Sequence, residues 1–275
     1  MATTALTPRT LTELLKLTSK HGKRAAMVSG IDPGDRAPAG KVFIDLTAIS
    51  ALQTITAGKG VITTGTGMNL GRLAREAEGE NGLLRHAASL VANPLVRNRV
   101  TLVEALDPVS PYFDITTPLV LLDAKVRLQS PTGKRAMAIL DYLELAAKGL
   151  KKGEIPVAVE FEKVSSSERV GFFRVARERG KGSVSAAAKM KIVRNVCMEP
   201  EIVVSSLSLI PQRSTAAEKE IKGKAASEQI IQAAAQQAAA EISAISNGQN
   251  VYEQRLIEIT VSRTLRDIME GSIAD

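Results

Sequence analysis

The sequence predicts an α+β protein, and three observations support this fold class. Short apolar runs typical of strands alternate with helical patterns through about the first 170 residues. A polar break at residues 165–167 interrupts this alternation, and the rest of the chain has the pattern of strands followed by helices. The core residues are mainly Ala, Val, Leu and Ile, because the chain has no Trp and only 3% aromatic residues. We therefore expect mixed helices and sheets around an aliphatic core.

Charge and composition narrow the class of protein. The net charge is +7, which would suit contact with nucleic acid or with an acidic partner subunit. The basic residues are mixed with Glu, however, and no aromatic rings are interleaved with the densest basic clusters, at residues 148–152 and 174–181. Single-strand binding uses such rings as stacking platforms. We therefore expect no nucleic-acid binding.

The few cysteines and histidines limit the chemistry that the chain can perform alone. Cys197 is the only cysteine, so it forms no internal disulfide and cannot hold an iron–sulfur cluster, which needs several thiolates. His21 and His86 complete no metal site and no Ser-His-Asp set. The chain has no transmembrane segment by its apolar runs, and its first thirty residues lack an apolar signal core. We therefore expect a cytoplasmic protein.

The first 58 residues are predicted to hold a helix and two strands around one loop. Thr10 and Glu13 have capping-box spacing, which indicates a helix that begins there. The loop Ser29-Gly30-Ile31-Asp32 follows the first strand, and taken alone it is typical of an ordinary connection between strands. The predicted helix covers residues 10–22, and the predicted strands cover residues 25–28 and 42–46.

The central and C-terminal patterns predict further helices and strands. Asn69 is the expected N-cap of a helix, and Asn93-Pro94 is expected to end another. Helices are predicted at 70–77, 83–91, 215–222, about 228–247 and 251–270. Strands are predicted at 60–64, 125–128, 157–161 and 202–209, with strand character at 99–103 and mixed strand and helix character at 184–193.

The order of motifs in the central stretch resembles that of one known family, the flavin-binding medium subunit of xanthine dehydrogenase and carbon monoxide dehydrogenase. In that family a helix ends in a motif similar to residues 91–98 of this chain, Val-Ala-Asn-Pro-Leu-Val-Arg-Asn. After it the family has Thr-hydrophobic-Gly-Gly-Asn, then Ser-Pro-x-x-Asp, then Leu-Asp-Ala. Without a gap, this chain has Thr101-Leu102, then Ser110-Pro111 and Asp114, then residues 122–124. The ordered set over about forty residues is what makes the resemblance specific.

The resemblance implies an architecture and a role. It implies two α/β flavin-type (PCMH-like) subdomains, at residues 1–58 and 59–170, followed by a C-terminal α+β domain at residues 171–275. In the family the medium subunit passes electrons through FAD to an acceptor. A small subunit carries the [2Fe–2S] clusters, and a large subunit carries the Mo-molybdopterin. The resemblance therefore implies a hetero-oligomer with an iron–sulfur subunit and a molybdopterin subunit.

The FAD-loop positions of the family are degenerate in this chain. The family's first loop, Ala-Gly-Gly-Thr-Asp, matches Val28-Ser29-Gly30-Ile31-Asp32, and its second loop Gly-Gly-Asn matches Val103-Glu104-Ala105. Glycines let the backbone approach a cofactor, and backbone amides cradle phosphate. A carboxylate and bulkier side chains at these places predict FAD that is weakly bound or lost, and a flavin-free docking subunit is the alternative function. The candidate positions are Ser29, Gly30, Ile31, Asp32, Thr101, Val103, Glu104, Ser110 and Asp114.

Overall fold

The computed structural model describes residues 5–29, 40–77, 82–176, 183–206, 210–245 and 251–271. Contacts divide the chain into two compact units. Unit 1 comprises Met1–Ala77, Val91–Tyr112 and Asp123–Glu162, and unit 2 comprises Glu78–Leu90, Phe113–Leu122 and Lys163–Asp275. Each is a mixture of helices and sheet, so the predicted α+β class is confirmed. The boundaries predicted after residues 58 and 170 stay predictions.

Unit 1 contains two separate sheets. A three-stranded parallel sheet has the order β1-β3-β2, and a five-stranded antiparallel sheet has the order β4-β5-β8-β6-β7. The strands are β1 Ala5–Leu6, β2 Ala25–Val28, β3 Val42–Asp45, β4 Ile55–Ala57, β5 Val61–Gly65, β6 Lys125–Ser130, β7 Gly133–Ala138 and β8 Ile155–Glu162. The helices of unit 1 are α1 Leu11–His21, α2 Leu70–Glu76, α4 Pro94–Arg97, α5 Leu102–Ala105 and α7 Ile139–Lys148.

Side-chain caps set the starts of several helices in unit 1, as the sequence predicted. The Glu13 backbone amide donates to Thr10 Oγ1 at 3.2 Å, and the Arg72 amide donates to Asn69 Oδ1 at 2.8 Å. Asn93 does more than end a helix, because its Oδ1 accepts from the Val96 amide and starts the one-turn helix α4. The apolar face of α1 then packs into a core cluster formed by Leu14, Leu15, Ile44, Leu46, Ile49, Leu52, Val103 and Ile155.

Unit 2 is a four-stranded antiparallel sheet with helices packed against it. The strand order is β12-β11-β10-β9, and the aliphatic core lies among β10, β11, α8, α9 and α10. The strands are β9 Arg169–Ala176, β10 Ser183–Val193, β11 Val196–Ser205 and β12 Gln212–Arg213. The helices are α3 Leu83–Leu90, α6 Thr116–Leu121, α8 Thr215–Ile221, α9 Glu228–Ile245 and α10 Val251–Glu270.

Small residues allow the close packing of unit 2. A Cβ atom added to Gly171 would lie 2.7 Å from the backbone oxygen of Thr264, so α10 lies directly over β9 at this glycine. On the opposite strand, Ala186 and Ala188 are fully buried, and the Ala186 oxygen accepts a hydrogen bond from Thr264 Oγ1 at 3.3 Å. Cys197 is also fully buried in this core, as expected for a small hydrophobe.

The structure corrects one predicted element, decides one that was left open and moves the start of a third. The strand character assigned to residues 99–103 is limited to an isolated antiparallel bridge between Thr101 and Asn69. The helix α5 begins at Leu102, because Thr101 caps its first turn. Residues 184–193, whose character was left open, form the long strand β10. The strand predicted at 202–209 begins earlier, at Val196, because it pairs with β10 along most of its length, and residues 207–209 lie outside the described residues.

Candidate functional site

The second loop of the resemblance is a capped helical turn. Thr101 Oγ1 accepts a hydrogen bond from the Glu104 amide at 3.3 Å. In return, Glu104 Oε2 accepts from the Thr101 amide at 2.8 Å and from the Thr101 hydroxyl at 2.9 Å. This reciprocal pair is a capping box, and it uses donors that would otherwise be unpaired at the start of α5.

All five backbone amides from Thr101 to Ala105 donate to groups within unit 1. The Leu102 amide donates to the Met68 oxygen at 2.9 Å, and the Val103 amide donates to the Thr66 oxygen at 2.8 Å. The Ala105 amide closes the helical turn onto the Thr101 oxygen at 3.1 Å. Together with the two capping-box amides, these bonds leave no N–H group of this segment available to a phosphate.

The side chains of this turn face the protein rather than a ligand phosphate. Val103 is 6% exposed and belongs to the core cluster of α1 and β3. Burial raises the pKa of the Glu104 carboxyl above its usual value, and the hydrogen bonds from Thr101 oppose that rise. Glu104 is therefore a partly buried capping carboxylate, which sequence reasoning had considered only as a charge opposite a pyrophosphate.

The other predicted positions of unit 1 are described in part. Ser29 follows β2 and is buried. The remaining positions of the first loop, Gly30, Ile31 and Asp32, lie outside the described residues. Ser110 lies in a turn, where its amide donates to the Asp107 oxygen at 2.8 Å and its hydroxyl accepts from the Tyr112 amide at 3.2 Å. Ser110 is thus held by local turn contacts.

Asp114 belongs to unit 2, where it is enclosed by partners. Its Oδ2 atom pairs with Arg174 at 2.6 and 2.7 Å, and its Oδ1 atom accepts a hydrogen bond from the Ser183 hydroxyl. Arg174 also donates to the Leu90 oxygen at 2.9 Å. The Asp114 side chain is 3% exposed, so the carboxylate is already fully used within unit 2. Arg174 lies in a basic cluster that the sequence singled out, but its pairing with Asp114 was not predicted.

A cavity of about 550 Å³ lies in unit 1 and could take a ligand. Its walls include the side of β2, the start of α5 and the segment that precedes β8. Sequence reasoning placed only Val103 here and missed the polar groups, which are Thr18, Lys23, Asp107, Tyr142, Lys151, Lys152 and Glu154. The basic cluster at residues 148–152 was the sequence feature that could have pointed to lysines in this cavity. It did not show that Lys23, from the turn after α1, would line the same cavity.

The described residues give no sign of a metal centre or a membrane span. Among them, no group of three or more His, Cys, Asp or Glu side chains is arranged to hold a metal ion. No helix in the described ranges is long and apolar enough to cross a bilayer.

Comparison with protein families identifies the class. The family described as "FAD binding domain in molybdopterin dehydrogenase" matches residues 1–161, and the "CO dehydrogenase flavoprotein C-terminal domain" matches residues 173–268. The chain therefore belongs to the family of FAD-binding medium subunits of molybdenum hydroxylases, which are oxidoreductases. This membership confirms the resemblance recognised in the sequence.

Individual relatives are distant. The chain is 24% identical over 231 residues to the 6-hydroxypseudooxynicotine dehydrogenase complex subunit alpha of Paenarthrobacter nicotinovorans, covering 82% of this chain and 78% of that one. It is 22% identical over 190 residues to the glyceraldehyde dehydrogenase medium chain of Sulfolobus acidocaldarius, covering 68% and 67%.

Solved structures share the fold over almost the entire chain. Quinoline 2-oxidoreductase from Pseudomonas putida 86 superposes with a TM-score of 0.83 at 21% identity, covering 98% of each chain. Carbon monoxide dehydrogenase from Oligotropha carboxidovorans gives a TM-score of 0.82 at 19% identity, covering 99% of each chain. At this level of identity the likeness shows the fold alone.

The second loop does not fit the FAD that the family implies. A pyrophosphate needs free amide donors or cations, whereas the five amides of residues 101–105 are engaged and Glu104 adds a carboxylate. Asp114, another predicted flavin position, is neutralised by Arg174. The family match and the local geometry therefore disagree about the cofactor.

Proposed function

We propose that this chain is the medium subunit of a molybdenum hydroxylase complex in which FAD is weakly bound or lost. The observation that carries the proposal is the closed second loop, where every amide from Thr101 to Ala105 has an internal acceptor. Such a loop offers a dinucleotide phosphate no donor unless existing hydrogen bonds break. The positions predicted as flavin contacts, from Ser29 to Asp114, would then be remnants of a site.

The expected partners are a small subunit that carries [2Fe–2S] clusters and a large subunit that carries Mo-molybdopterin. The single cysteine supports this division, because the clusters need thiolates that this chain lacks. The relatives named as a medium chain and as a complex subunit support it as well. We propose that the chain acts in the cytoplasm as one component of this hetero-oligomer.

Two roles within the complex remain open to experiment. The closed loop favours a docking subunit that keeps the fold and joins its partners without a flavin. The family match favours the relay of electrons from the clusters to an acceptor, which a weakly held FAD could serve. Flavin content separates the two, because a relay needs FAD in the working complex.

The test is isolation of the endogenous complex, followed by native mass spectrometry and a visible spectrum. We expect three different chains together, with iron–sulfur absorption and little FAD in the heat-released fraction. A complex that contains one tightly held FAD for each copy of this chain would overturn the flavin-poor proposal. Material in which this chain is found alone would overturn the assignment of partners.

A further inference from the structure

A second cavity of unit 1 lies on the exposed face of the five-stranded sheet. Its volume is about 430 Å³, which lies inside the usual range of roughly 300–1,000 Å³ for small-molecule sites. It is bounded by β6, β7 and β8, by residues 51–52 and by Leu11 at the start of α1. We call it the sheet groove, and none of its lining residues lines the cavity near β2 and α5.

Small side chains leave space on this face of the sheet. The pairing register places Ala136 and Ala158 on either side of Arg127, in one row across β7, β6 and β8. The long Arg127 side chain therefore has no bulky neighbour in its own row. Leu11 and Leu52 come from the N-terminal part of unit 1 and close one side of the groove. The result is a depression whose floor and wall are aliphatic.

Polar side chains line another part of the sheet groove. Gln129 pairs directly with Lys134 across β6 and β7, and Arg127 lies two positions before Gln129 on the same face. Diagonal neighbours such as Arg127 and Lys134 lie roughly 7–8 Å apart, so both side chains can reach one small anion. The lining contains no Asp and no Glu. All of its ionisable groups are therefore cations.

Partners outside the sheet groove compensate two of its three cations unequally. Arg135 donates two hydrogen bonds to the Glu154 carboxylate, at 2.7 and 2.8 Å, so its charge is compensated. Arg127 donates to Glu160 through one guanidinium nitrogen, which leaves its other N–H groups available. Among the described residues, Lys134 forms no ion pair. A ligand anion can therefore contact Lys134 and Arg127 without breaking either existing pair.

Charged side chains on an edge strand also have a plain structural role, because they prevent edge-to-edge association of sheets. The strand β7 is at the edge of its sheet, so Lys134 suits that role. That role needs no concave surface, however. It does not account for the alanines on both sides of Arg127 or for the aliphatic wall of Leu11 and Leu52. An aliphatic depression beside an uncompensated cation favours a ligand.

We propose that the sheet groove binds a small aliphatic carboxylate whose chain is similar in length to that of octanoate. The alkyl chain lies against Leu52, Ala136 and Ala158, and the carboxylate contacts Lys134 and Arg127. An alkyl chain suits the groove because its walls are aliphatic and no aromatic side chain lines it for ring stacking. The inference goes beyond the proposed function and does not depend on flavin content, since the groove contains no residue of the second loop.

The experiment is calorimetric titration of the purified full chain with octanoate, with butanoate and octanol as the comparison ligands. We expect octanoate to bind one to one, and butanoate to bind at least about tenfold more weakly, because fewer methylene groups are buried. Octanol should bind about threefold more weakly, since an exposed ion pair contributes little. Higher salt should weaken the binding of octanoate but not of octanol. Absence of octanoate binding, or equal affinities for octanoate and either comparison ligand, would overturn the inference.

A pair of alanine variants tests the aliphatic part of the sheet groove. Ala136→Leu fills the depression without changing charge, and it should weaken octanoate binding about tenfold or more. Ala138→Leu is the matched control, because it adds the same group on the same face of β7 outside the groove. The control should bind octanoate as the native chain does. Equal affinities of the two variants for octanoate would show that the ligand is bound elsewhere and overturn the inference.

A pair of lysine variants tests the charged part on exposed positions, where a substitution leaves the fold intact. Lys134→Ala should weaken octanoate binding about threefold and leave octanol binding unchanged. The matched control Lys125→Ala removes an exposed lysine from the same sheet face outside the groove, and it should change neither affinity. Loss of octanoate affinity as large in Lys125→Ala as in Lys134→Ala would overturn the inference, since net charge alone would explain the binding.

An acidic segment of a partner subunit is the other occupant that suits a groove lined by cations. Copurification from the endogenous source separates it from a small carboxylate. If Ala136→Leu prevents copurification of partner subunits while Ala138→Leu does not, and octanoate does not bind the isolated chain, the groove is a protein interface and the inference is overturned. Octanoate binding that Ala136→Leu abolishes, with copurification unchanged, supports the small-molecule site.

Discussion

At the scale of single residues, Glu104 combines two effects of opposite sign. Its carboxylate completes the capping box with Thr101, which stabilises α5. Its partial burial raises the carboxyl pKa, which means that the charged form is less favourable there than in water. A substitution that keeps the cap but removes the charge can separate the two effects.

The cap is tested with Glu104→Ala, which we expect to lower the free energy of unfolding by about 1 kcal/mol, as for the loss of other helix caps. Glu104→Gln should lose less, because its side-chain oxygen can still accept from the Thr101 amide. Urea unfolding measures both changes. Glu144→Ala on the exposed face of α7 is the control. An equal loss of unfolding free energy in this control would show that α5 is not stabilised by the cap.

The charge of Glu104 gives a prediction about pH. A carboxyl whose pKa is raised in the folded state contributes stability at low pH, and that contribution is lost as pH rises through the folded pKa. Between the usual carboxyl value of 4.5 and neutrality, the native protein should therefore lose stability relative to Glu104→Gln. Urea midpoints at pH 4, 5, 6 and 7 measure the difference. A native protein that gains stability relative to the variant over this range would contradict the prediction.

Asp114 and Arg174 form the second residue-scale test. Both side chains are largely buried, so removal of one leaves an uncompensated charge. We expect Asp114→Ala to destabilise the protein by about 3 kcal/mol or more. The double variant Asp114→Ala/Arg174→Met should recover part of that loss, because no charge is then left unpaired. An additive double variant, measured by urea unfolding, would show that the two residues are not coupled.

At the scale of elements, the sequence predicted helices well where either a long apolar stripe or an N-cap residue marks them. The helix at 251–270 was predicted with the bounds that the structure has, and the predicted Asn69 cap is confirmed. The segment 99–103 was misassigned because Val100, Thr101 and Val103 are β-branched, which favours strands in isolation. The spacing of Thr101 and Glu104 is that of a capping box, so the correct signal was present.

Strand pairing was less accessible from the sequence. The strand β11 begins at Val196, six residues before the predicted start, and Glu199 lies within it with a φ of +49°. The pairing register of β10 and β11 shifts between Lys189 and Lys191. Such an irregularity breaks the alternation of apolar and polar residues on which strand prediction depends. Only the pairing with β10 defines the full strand.

Gly171 tests the packing of α10 on β9. A methyl group at this position would lie 2.7 Å from the Thr264 oxygen and 2.9 Å from Ile268 Cγ1, which forces the helix away from the sheet. We expect Gly171→Ala to cost about 1–3 kcal/mol through overpacking. Gly133→Ala is the control, because a Cβ atom there meets nothing within 4 Å. Equal thermal midpoints for the two variants would show that α10 tolerates the shift.

At the scale of the whole molecule, the family and its fold could be predicted from the sequence. The hydrogen-bond and ion-pair partners of the candidate site residues could not. The ordered motifs from Val91 to Ala124 carried the family assignment, and the lost glycines indicated a degenerate flavin site. The engagement of the second-loop amides by Thr66 and Met68 depends on residues about 35 positions upstream. The partner of Asp114 lies 60 positions downstream. Contacts at such separations have no local pattern in a single sequence.

These long-range contacts limit the gain in FAD affinity that we expect when residues of the flavin loops are restored to those of the family. If the Glu104 charge alone kept FAD out, its removal could gain up to roughly a thousandfold in affinity, since about 4 kcal/mol opposes two like charges about 4 Å apart at an effective dielectric of about 20. We expect Glu104→Gln to gain much less, because the Leu102 and Val103 amides still donate to backbone oxygens. Fluorescence titration with FAD measures the gain.

Full repair should require both loops. Val103→Gly/Glu104→Gly/Ala105→Asn frees the Thr101 amide, which donates to the Glu104 carboxylate, but it also removes a buried core side chain at a cost of about 2 kcal/mol or more. We therefore expect this variant to bind FAD only weakly, and expect a clear gain only when Ser29→Gly and Ile31→Thr are added, with circular dichroism as the check on folding. Glu104→Gln that is isolated yellow, with one FAD per chain, would show that a single charge and not the closed loop excludes the flavin.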